Sequence, residues 1–240
     1  MQAPQKLISV CQHNNCQLSI SYAMPSVAQI ITTISLPALT LFGTSSCSPA
    51  APANDENKIK TLAVDTLNGF GEKEYFFVNP ETGKKQGAYK RWSKAGKLIE
   101  ECVYADGKLD QMRVLYFENG DTQIVENYRQ GIFHGSYRSF YPNKKIQFTG
   151  QYKYNQMEGL WVKFYADGSI MEKVQFRKNL ENGPFQEFYP DGTLKTTGSY
   201  LNGDNEHGQL KMYDETGRHI RTMECQEGIC KTVWQLDGNK

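Results

Sequence analysis

Acidic side chains are missing from the first 47 residues, which also contain a single basic residue, Lys6. Within this stretch, residues 27–42 are apolar except for Gln29 and several hydroxyl side chains, and Pro37 interrupts them. A transmembrane helix needs about 20 consecutive apolar residues. This segment is too short and too broken to span a bilayer, and it fits the hydrophobic region of a secretory signal instead.

An excess of either charge is lacking in the rest of the chain. After Cys47 there are 27 − 1 = 26 basic residues against 26 acidic ones, a net charge of zero. Proteins that bind nucleic acid or anionic lipid headgroups concentrate Lys and Arg on one surface or beside the membrane. We therefore predict no nucleic-acid partner, and the repeats described below have little support as a headgroup-binding surface.

Histidine is scarce, and no known catalytic motif stands in its required context. His134 and His207 occupy the same position of a repeat but lie three repeats apart, roughly 30 Å along a sheet, so they cannot share a metal ion. Phosphate loops, nucleophile elbows and zinc-protease motifs are not found in a strand–turn–helix context. We predict a protein that is not an enzyme and that needs no cofactor or metal.

The dominant positive feature is a tandem repeat of 24 residues. An aromatic residue stands five positions after every start, and another stands seventeen positions after the first five starts. The starts, separated by 24 residues and finally by 25, are Gly87, Gln111, Gly135, Gly159, Gly183 and Gly208. Residues 87–228 are therefore predicted to be six copies of one structural unit.

Each unit has the pattern of a β-hairpin. Two runs rich in aromatic and β-branched residues are separated by turn pairs such as Asp167-Gly168, where glycine supplies the positive φ that a tight turn requires. We predict an all-β fold in which tandem 24-residue hairpins form one elongated, twisted antiparallel sheet. Residues 58–86 are predicted to add capping strands at its start, and residues 229–240 a capping strand at its end.

Aromatic side chains recur on both predicted faces of the sheet. One set lies two and six residues after the starts, where strand alternation places both positions on the same face. Two interpretations remain open for this set: the rings bury one another, or they form an exposed groove for a protein partner. The residues concerned are Tyr89, Tyr137, Tyr141, Trp161, Tyr165, Phe185 and Tyr189.

The repeated pattern G-x-[YFW]-x-x-[FYW]-[YF]-x-x-G resembles the MORN repeat in its bacterial second variant. The resemblance covers about Gly87–Gly228, with departures at Gln111 and Arg113 in the second unit and at Leu210, Asp214 and Cys225 in the sixth. It implies an all-β binding or scaffolding protein without catalytic residues. Bacterial proteins built of such repeats are commonly named YwqK-type antitoxins, so the resemblance also implies a second hypothesis, a cytosolic antitoxin.

The N-terminal segment resembles the signal of a bacterial lipoprotein. Small residues precede Cys47, which would be the lipidated first residue of the mature chain, and residues 47–57 form a Pro- and Ala-rich tether. Residues 1–46 would be the signal, with Met24 as a candidate true start. We therefore predict a membrane-anchored protein of the cell envelope. A surface glycan-binding protein and a structural spacer are two further hypotheses that the sequence leaves open.

Cys225 and Cys230 flank four residues near the end of the array. They could face each other across the last hairpin, because a disulfide requires Cα atoms within about 7 Å. A disulfide and two free thiols are equally compatible with the spacing. A pair of this kind with no nearby histidine is a poor zinc motif.

Overall fold

The computed structural model describes residues 60–236. The signal, the lipidation site Cys47 and the tether predicted above lie outside the described residues. Regular structure within them consists of strands alone. The strands are β1 (Leu62–Leu67), β2 (Lys73–Val78), β3 (Lys85–Trp92), β4 (Leu98–Ala105), β5 (Lys108–Leu109), β6 (Gln111–Tyr116), β7 (Thr122–Arg129), β8 (Ile132–Phe133), β9 (Gly135–Phe140), β10 (Ile146–Lys153), β11 (Gln156–Phe164), β12 (Ile170–Arg177), β13 (Leu180–Phe188), β14 (Leu194–Tyr200), β15 (Gly208–Tyr213), β16 (His219–Gln226) and β17 (Ile229–Gln235).

The strands form one open antiparallel sheet in which each strand pairs with its neighbours in the chain. Strands β5 and β6 both pair with β4, and β8 and β9 both pair with β7. The seventeen strands therefore form fifteen rows, with β1 and β17 at the two edges. The predicted all-β array of tandem hairpins is confirmed.

Two kinds of turn alternate along the array. In the wide turn at Asp167-Gly168 only the glycine has positive φ, 93°, and the Tyr165 N–H donates to the Ser169 carbonyl across the turn. In the tight turn at Lys178-Asn179 both residues have positive φ, 53° and 68°, as a type I′ hairpin requires. Each unit contains one wide turn and one tight turn, so equivalent residues of successive units lie at the same level along their strands.

The tight turns also tie successive units together. The side-chain oxygen of Asn179 accepts a hydrogen bond of 2.7 Å from the backbone N–H of Met157, one unit earlier. The side chain of Asn155 makes the equivalent 2.7 Å bond to the N–H of Phe133. Each unit is therefore held by its predecessor through its turn as well as through its strands.

Capping strands flank the repeats. Strand β2 pairs with β3 of the first unit, with Phe76 opposite Tyr89, and β1 pairs with β2 on its other side. At the other end β17 pairs with β16. These strands extend the sheet beyond the six repeats at both ends.

One face of the sheet contains most of the buried side chains. This face, called the aromatic face below, holds the residues that lie two, fifteen and seventeen positions after each unit start. It includes Trp161, which is 1% exposed, and the buried cluster of Tyr89, Cys102, Tyr104 and Leu109. The protein core is therefore a row of side chains along one side of a single-layered sheet.

Candidate functional site

Small residues on neighbouring strands make room for the large rings of the aromatic face. A Cβ atom added at Gly150 would lie 2.1 Å from the indole of Trp161, and one at Gly198 would lie 2.9 Å from the ring of Phe185. The indole also packs against Phe148, with ring centroids 4.8 Å apart, and against Tyr152 at 5.1 Å. The rings are thus packed across strands, where aromatic pairs are stabilising.

This packing decides between the two interpretations of the aromatic residues. Tyr89, Trp161 and Phe185 are 5%, 1% and 3% exposed, so the exposed-groove interpretation fails for these three side chains. Tyr137 is half-buried, with its ring 5.7 Å from that of Trp161. The rings bury one another because each neighbouring strand presents a further ring or a small residue to them.

The tyrosines six positions after the starts have a different role. The hydroxyl of Tyr141 donates to the carbonyl of Phe164 at 2.7 Å, and the hydroxyl of Tyr165 donates to that of Phe188 at 2.8 Å. Tyr189 makes the same bond to the next unit at 3.0 Å. Because these half-buried hydroxyls are engaged by backbone, they link the units rather than form an open binding surface.

Cys225 and Cys230 form a disulfide in the structure. They are directly paired residues of β16 and β17, and their Cα atoms are 4.0 Å apart. The bond joins the last edge strand covalently to the strand beside it.

A chain of buried charges, which was not predicted from the sequence, interrupts the aromatic face in the second unit. Arg113 replaces the ring two residues after the start, and Glu126 takes the place of the small or apolar residue fifteen after the start. Both lie on the aromatic face, and Glu126 is 1% exposed. The available signal was that two positions of the same face become charged in the same unit, with opposite signs.

The geometry is that of alternating charges. Arg113 Nε lies 2.7 Å from one oxygen of Glu100, and Arg113 Nη1 lies 3.1 Å from Glu126. The other oxygen of Glu100 accepts a hydrogen bond of 2.8 Å from Arg91 Nε and lies 2.6 Å from Arg91 Nη2. Arg91 also contacts Glu72 at 2.5 Å. Two guanidinium groups therefore hold three carboxylates on four strands and the loop before β2.

Burial and neighbouring charges shift the pKa values of this charge chain. Burial raises the pKa of Glu126 above its ordinary value, and the Arg113 guanidinium opposes that shift only in part. Burial disfavours the charge on Arg113, but Glu100 and Glu126 outweigh it and raise its pKa. Since Glu100 and Glu126 are 3% and 1% exposed, these carboxylates are shielded from solvent and serve the packing of the sheet.

A second group of acidic side chains lies farther along the sheet. Glu172 of β12 is directly opposite Glu187 of β13, an arrangement of like charges that destabilises a strand pair. Burial, and then the charge of Glu187, raise the pKa of Glu172. Lys195 lies 3.3 Å from Glu187 and compensates that carboxylate.

Exposed apolar side chains occupy the opposite face of the sheet. Leu160 is next to Trp161 in β11 and so projects from the other side; Leu180 precedes Glu181, which pairs with Phe176 of the aromatic face. Ile132, Leu160 and Leu180 are 38%, 48% and 47% exposed. We call these three residues the outer apolar row.

Neither a metal-ligating cluster nor a membrane-spanning helix is found in the described part of the chain. Among residues 60–236 no group of three or more His, Cys, Asp and Glu side chains is placed to hold a metal ion. The same residues include no helix that is long and apolar enough to cross a bilayer.

The fold and its face pattern define an array of β-hairpin repeats. Three tandem segments match the MORN repeat variant, at residues 133–154, 157–178 and 181–202. Their starts are 157 − 133 = 24 and 181 − 157 = 24 residues apart, the period found above, and they fall in the third to fifth units. The chain therefore contains three tandem MORN repeats of the variant type, within a sheet that arranges its flanking units in the same way. No curated protein matches the chain.

Proposed function

We propose that this protein is a non-enzymatic scaffold of the bacterial cell envelope, anchored by a lipid on Cys47, that binds a protein partner through its repeat sheet. The MORN repeats support a binding or scaffolding role. The observation that carries the partner surface is the outer apolar row, since apolar side chains with roughly half their surface exposed gain free energy when a partner covers them.

The outer apolar row replaces the aromatic face as the proposed contact surface. Trp161 and Phe185 are buried, so a partner could reach them only if the sheet were repacked. Ile132 and Leu180 occupy equivalent positions two units apart, roughly 20 Å at two strands per unit. Leu160 lies on β11, which is midway between their strands β8 and β13. A partner of extended or sheet structure would fit a row of that length.

The anchor is proposed from the sequence. Cys47 follows small residues and an apolar segment, and the Pro- and Ala-rich tether after it would hold the sheet away from the bilayer. A single acyl chain gives only marginal membrane binding, whereas two or more chains give stable anchoring. A lipidated Cys47 that carries two or more acyl chains would therefore keep this protein at the membrane.

Intact-mass measurement of the protein from its own host, combined with membrane fractionation, tests the anchor. The expected result is a mature chain that starts at Cys47, carries acyl mass and sediments with membranes. A soluble chain with an unprocessed N-terminus would overturn the envelope proposal and favour the hypothesis of a cytosolic antitoxin.

The partner surface is tested by cross-linking in the host followed by mass spectrometry. We expect Leu160→Ser with Leu180→Ser to abolish the cross-linked partner. Leu67→Ser is the matched control, because Leu67 is an exposed leucine, 67%, on the edge strand outside the row. Equal partner recovery from the two variants, with unchanged thermal stability, would refute the proposed surface.

A further inference from the structure

The side-chain ammonium of Lys85 lies in a box of three aromatic rings on the aromatic face. Its Nζ atom is 4.4 Å from the ring centroid of Phe76, 4.3 Å from that of Tyr89 and 5.1 Å from that of Tyr104. The rings come from the adjacent strands β2, β3 and β4. The carboxylate of Glu74 forms a further wall, with its Oε2 atom 3.8 Å from Lys85 Nζ. We call these three rings and this carboxylate the cation box.

The rings contribute more than the carboxylate to holding the ammonium. The 3.8 Å separation from Glu74 is longer than a hydrogen bond, whereas a cation within about 6 Å of a ring centroid is attracted to the ring face. Burial lowers the pKa of Lys85, and the charges of Glu74 and Glu100 oppose that shift. The ammonium is therefore partly desolvated, and a desolvated cation gains most from aromatic faces.

The equivalent position is apolar in the next three units. Lys85 stands two residues before the start of its unit, and Leu109, Phe133 and Met157 stand there in the second to fourth units. Each of them is directly opposite a tyrosine of the aromatic face, namely Tyr104, Tyr128 and Tyr152. An apolar side chain would therefore be enough to cover the rings. The first unit instead places a cation there and a carboxylate, Glu74, beside it.

We propose that the cation box is a binding site for a primary alkylammonium group, which the chain fills with its own Lys85 and which an external alkylammonium ion occupies when that side chain is withdrawn. A lysine side chain is the ligand of this class that another polypeptide would offer. The site is independent of the outer apolar row, which lies on the opposite face of the sheet. Because its rings belong to β2, β3 and β4, the bound ammonium joins the N-terminal capping strand to the first repeat.

Removing the lysine side chain and supplying its end group separately tests the site. Lys85→Ala loses the atoms from Cγ to Nζ, and n-propylammonium contains the same non-hydrogen atoms. Ligand-observed saturation-transfer NMR on the full-length variant should show saturable binding with a dissociation constant of about 1 mM, as expected for so small a ligand. The wild type, whose box is filled, should show none.

The uncharged analogue n-propanol separates recognition of charge from filling of space. It should bind to Lys85→Ala about tenfold more weakly than n-propylammonium, because it gains nothing from the ring faces as a cation. Equal binding of the alcohol and the ammonium ion, or no binding of the ammonium ion, would overturn the proposal.

Two matched variants control for the space created and for folding. Leu109→Ala removes the equivalent side chain of the second unit, where the Arg113 guanidinium stands in place of a ring and repels a cation, so n-propylammonium should not bind there. Lys85→Met fills the box as Met157 does in the fourth unit, and it should fold without binding the ion. If Lys85→Ala does not fold alone, n-propylammonium should restore its thermal transition, because a ligand that binds only the folded state stabilises it. Failure to restore it would also overturn the proposal.

The wild type provides an independent measurement. Reductive methylation with isotope-labelled formaldehyde converts lysine amines into dimethylamines that remain cationic. The methyl protons on Lys85 should resonate upfield of those on Lys84, because the ring currents of the box shield them. Lys84 is a suitable reference, since it is 50% exposed and paired with Asp106 at 2.8 Å. Coincident methyl signals would show that the Lys85 ammonium does not lie in the box.

Discussion

Replacing Arg113 by methionine removes the guanidinium that joins two buried carboxylates. The change eliminates the 2.7 Å contact to Glu100 and the 3.1 Å contact to Glu126. Glu100 keeps Arg91 as a partner, but Glu126 keeps only the hydroxyl of Tyr128, at 3.1 Å. A carboxylate 1% exposed is then left without a cation. Breaking a buried ion pair on one side costs about 3–5 kcal/mol of unfolding free energy.

The unfolding free energy lost in Arg113→Met should be smaller at lower pH. Burial already raises the pKa of Glu126, and removing Arg113 raises it further. A carboxyl with a raised folded-state pKa contributes stability that is present below its unfolded value, near 4.5, and is lost as the pH rises through the folded value. We therefore expect Arg113→Met to be less destabilising at pH 5 than at pH 7.5.

Urea unfolding followed by tryptophan fluorescence at both pH values measures the effect. The matched variant is Arg113→Tyr with Glu126→Val, which brings a ring and a small apolar residue to the two positions, as Trp161 and Val174 do in the fourth unit. Replacing a buried ion pair by packed apolar groups is often neutral or stabilising, so we expect it within about 1 kcal/mol of the wild type. A loss below about 1 kcal/mol for Arg113→Met, or no difference between pH 5 and pH 7.5, would refute this reasoning.

Three further predictions concern packing, unit linkage and pH. Gly150→Ala should lower the free energy of unfolding by about 3 kcal/mol or more, because the added Cβ would overlap the indole of Trp161. Gly159→Ala has open space around the added Cβ but a φ of 73°, so it should lower that free energy by about 1–2 kcal/mol. Thermal unfolding of the two variants measures the difference. Tyr165→Phe removes one hydroxyl bond between units and should lower stability by about 1 kcal/mol, and an unchanged urea midpoint would contradict the linking role. Glu172→Gln should stabilise the protein at pH 7. Because burial raises the pKa of Glu172, the wild type should become more stable as the pH falls from 7 towards 4.5, and the variant should show less of this gain. Identical dependence of stability on pH in the two proteins would rule this out.

Local features of the sequence were sufficient to predict the hairpin array. The turn pair Asp167-Gly168 supplies the positive φ that a hairpin needs, and the aromatic residues recur at a constant distance from it. Both features involve residues close together in the chain, so they can be recognised without knowing which strand lies beside them. The six unit starts and the antiparallel order of the strands follow from them.

The role of each side chain depended on the neighbouring strand. Alternation indicated that two faces existed, but rings recur on both, so only the packing of Trp161 over Gly150 shows which rings are buried. The bond from Tyr165 spans 23 residues to the next unit. The contact between Arg113 and Glu126 joins two strands whose pairing brings the opposite charges together.

The sequence alone therefore determined the period, the hairpins and the single sheet, because turn and strand propensities are local properties of the chain. The tertiary structure alone decided which side chains are buried, which charges are paired and which apolar residues remain exposed, because those outcomes depend on what lies across the sheet. Leu160 and Trp161 are adjacent in the chain, yet one is 48% exposed and the other 1%. Strand alternation places the two side chains on opposite faces, and only the face of Trp161 is covered by groups from neighbouring strands, namely Gly150, Phe148 and Tyr152.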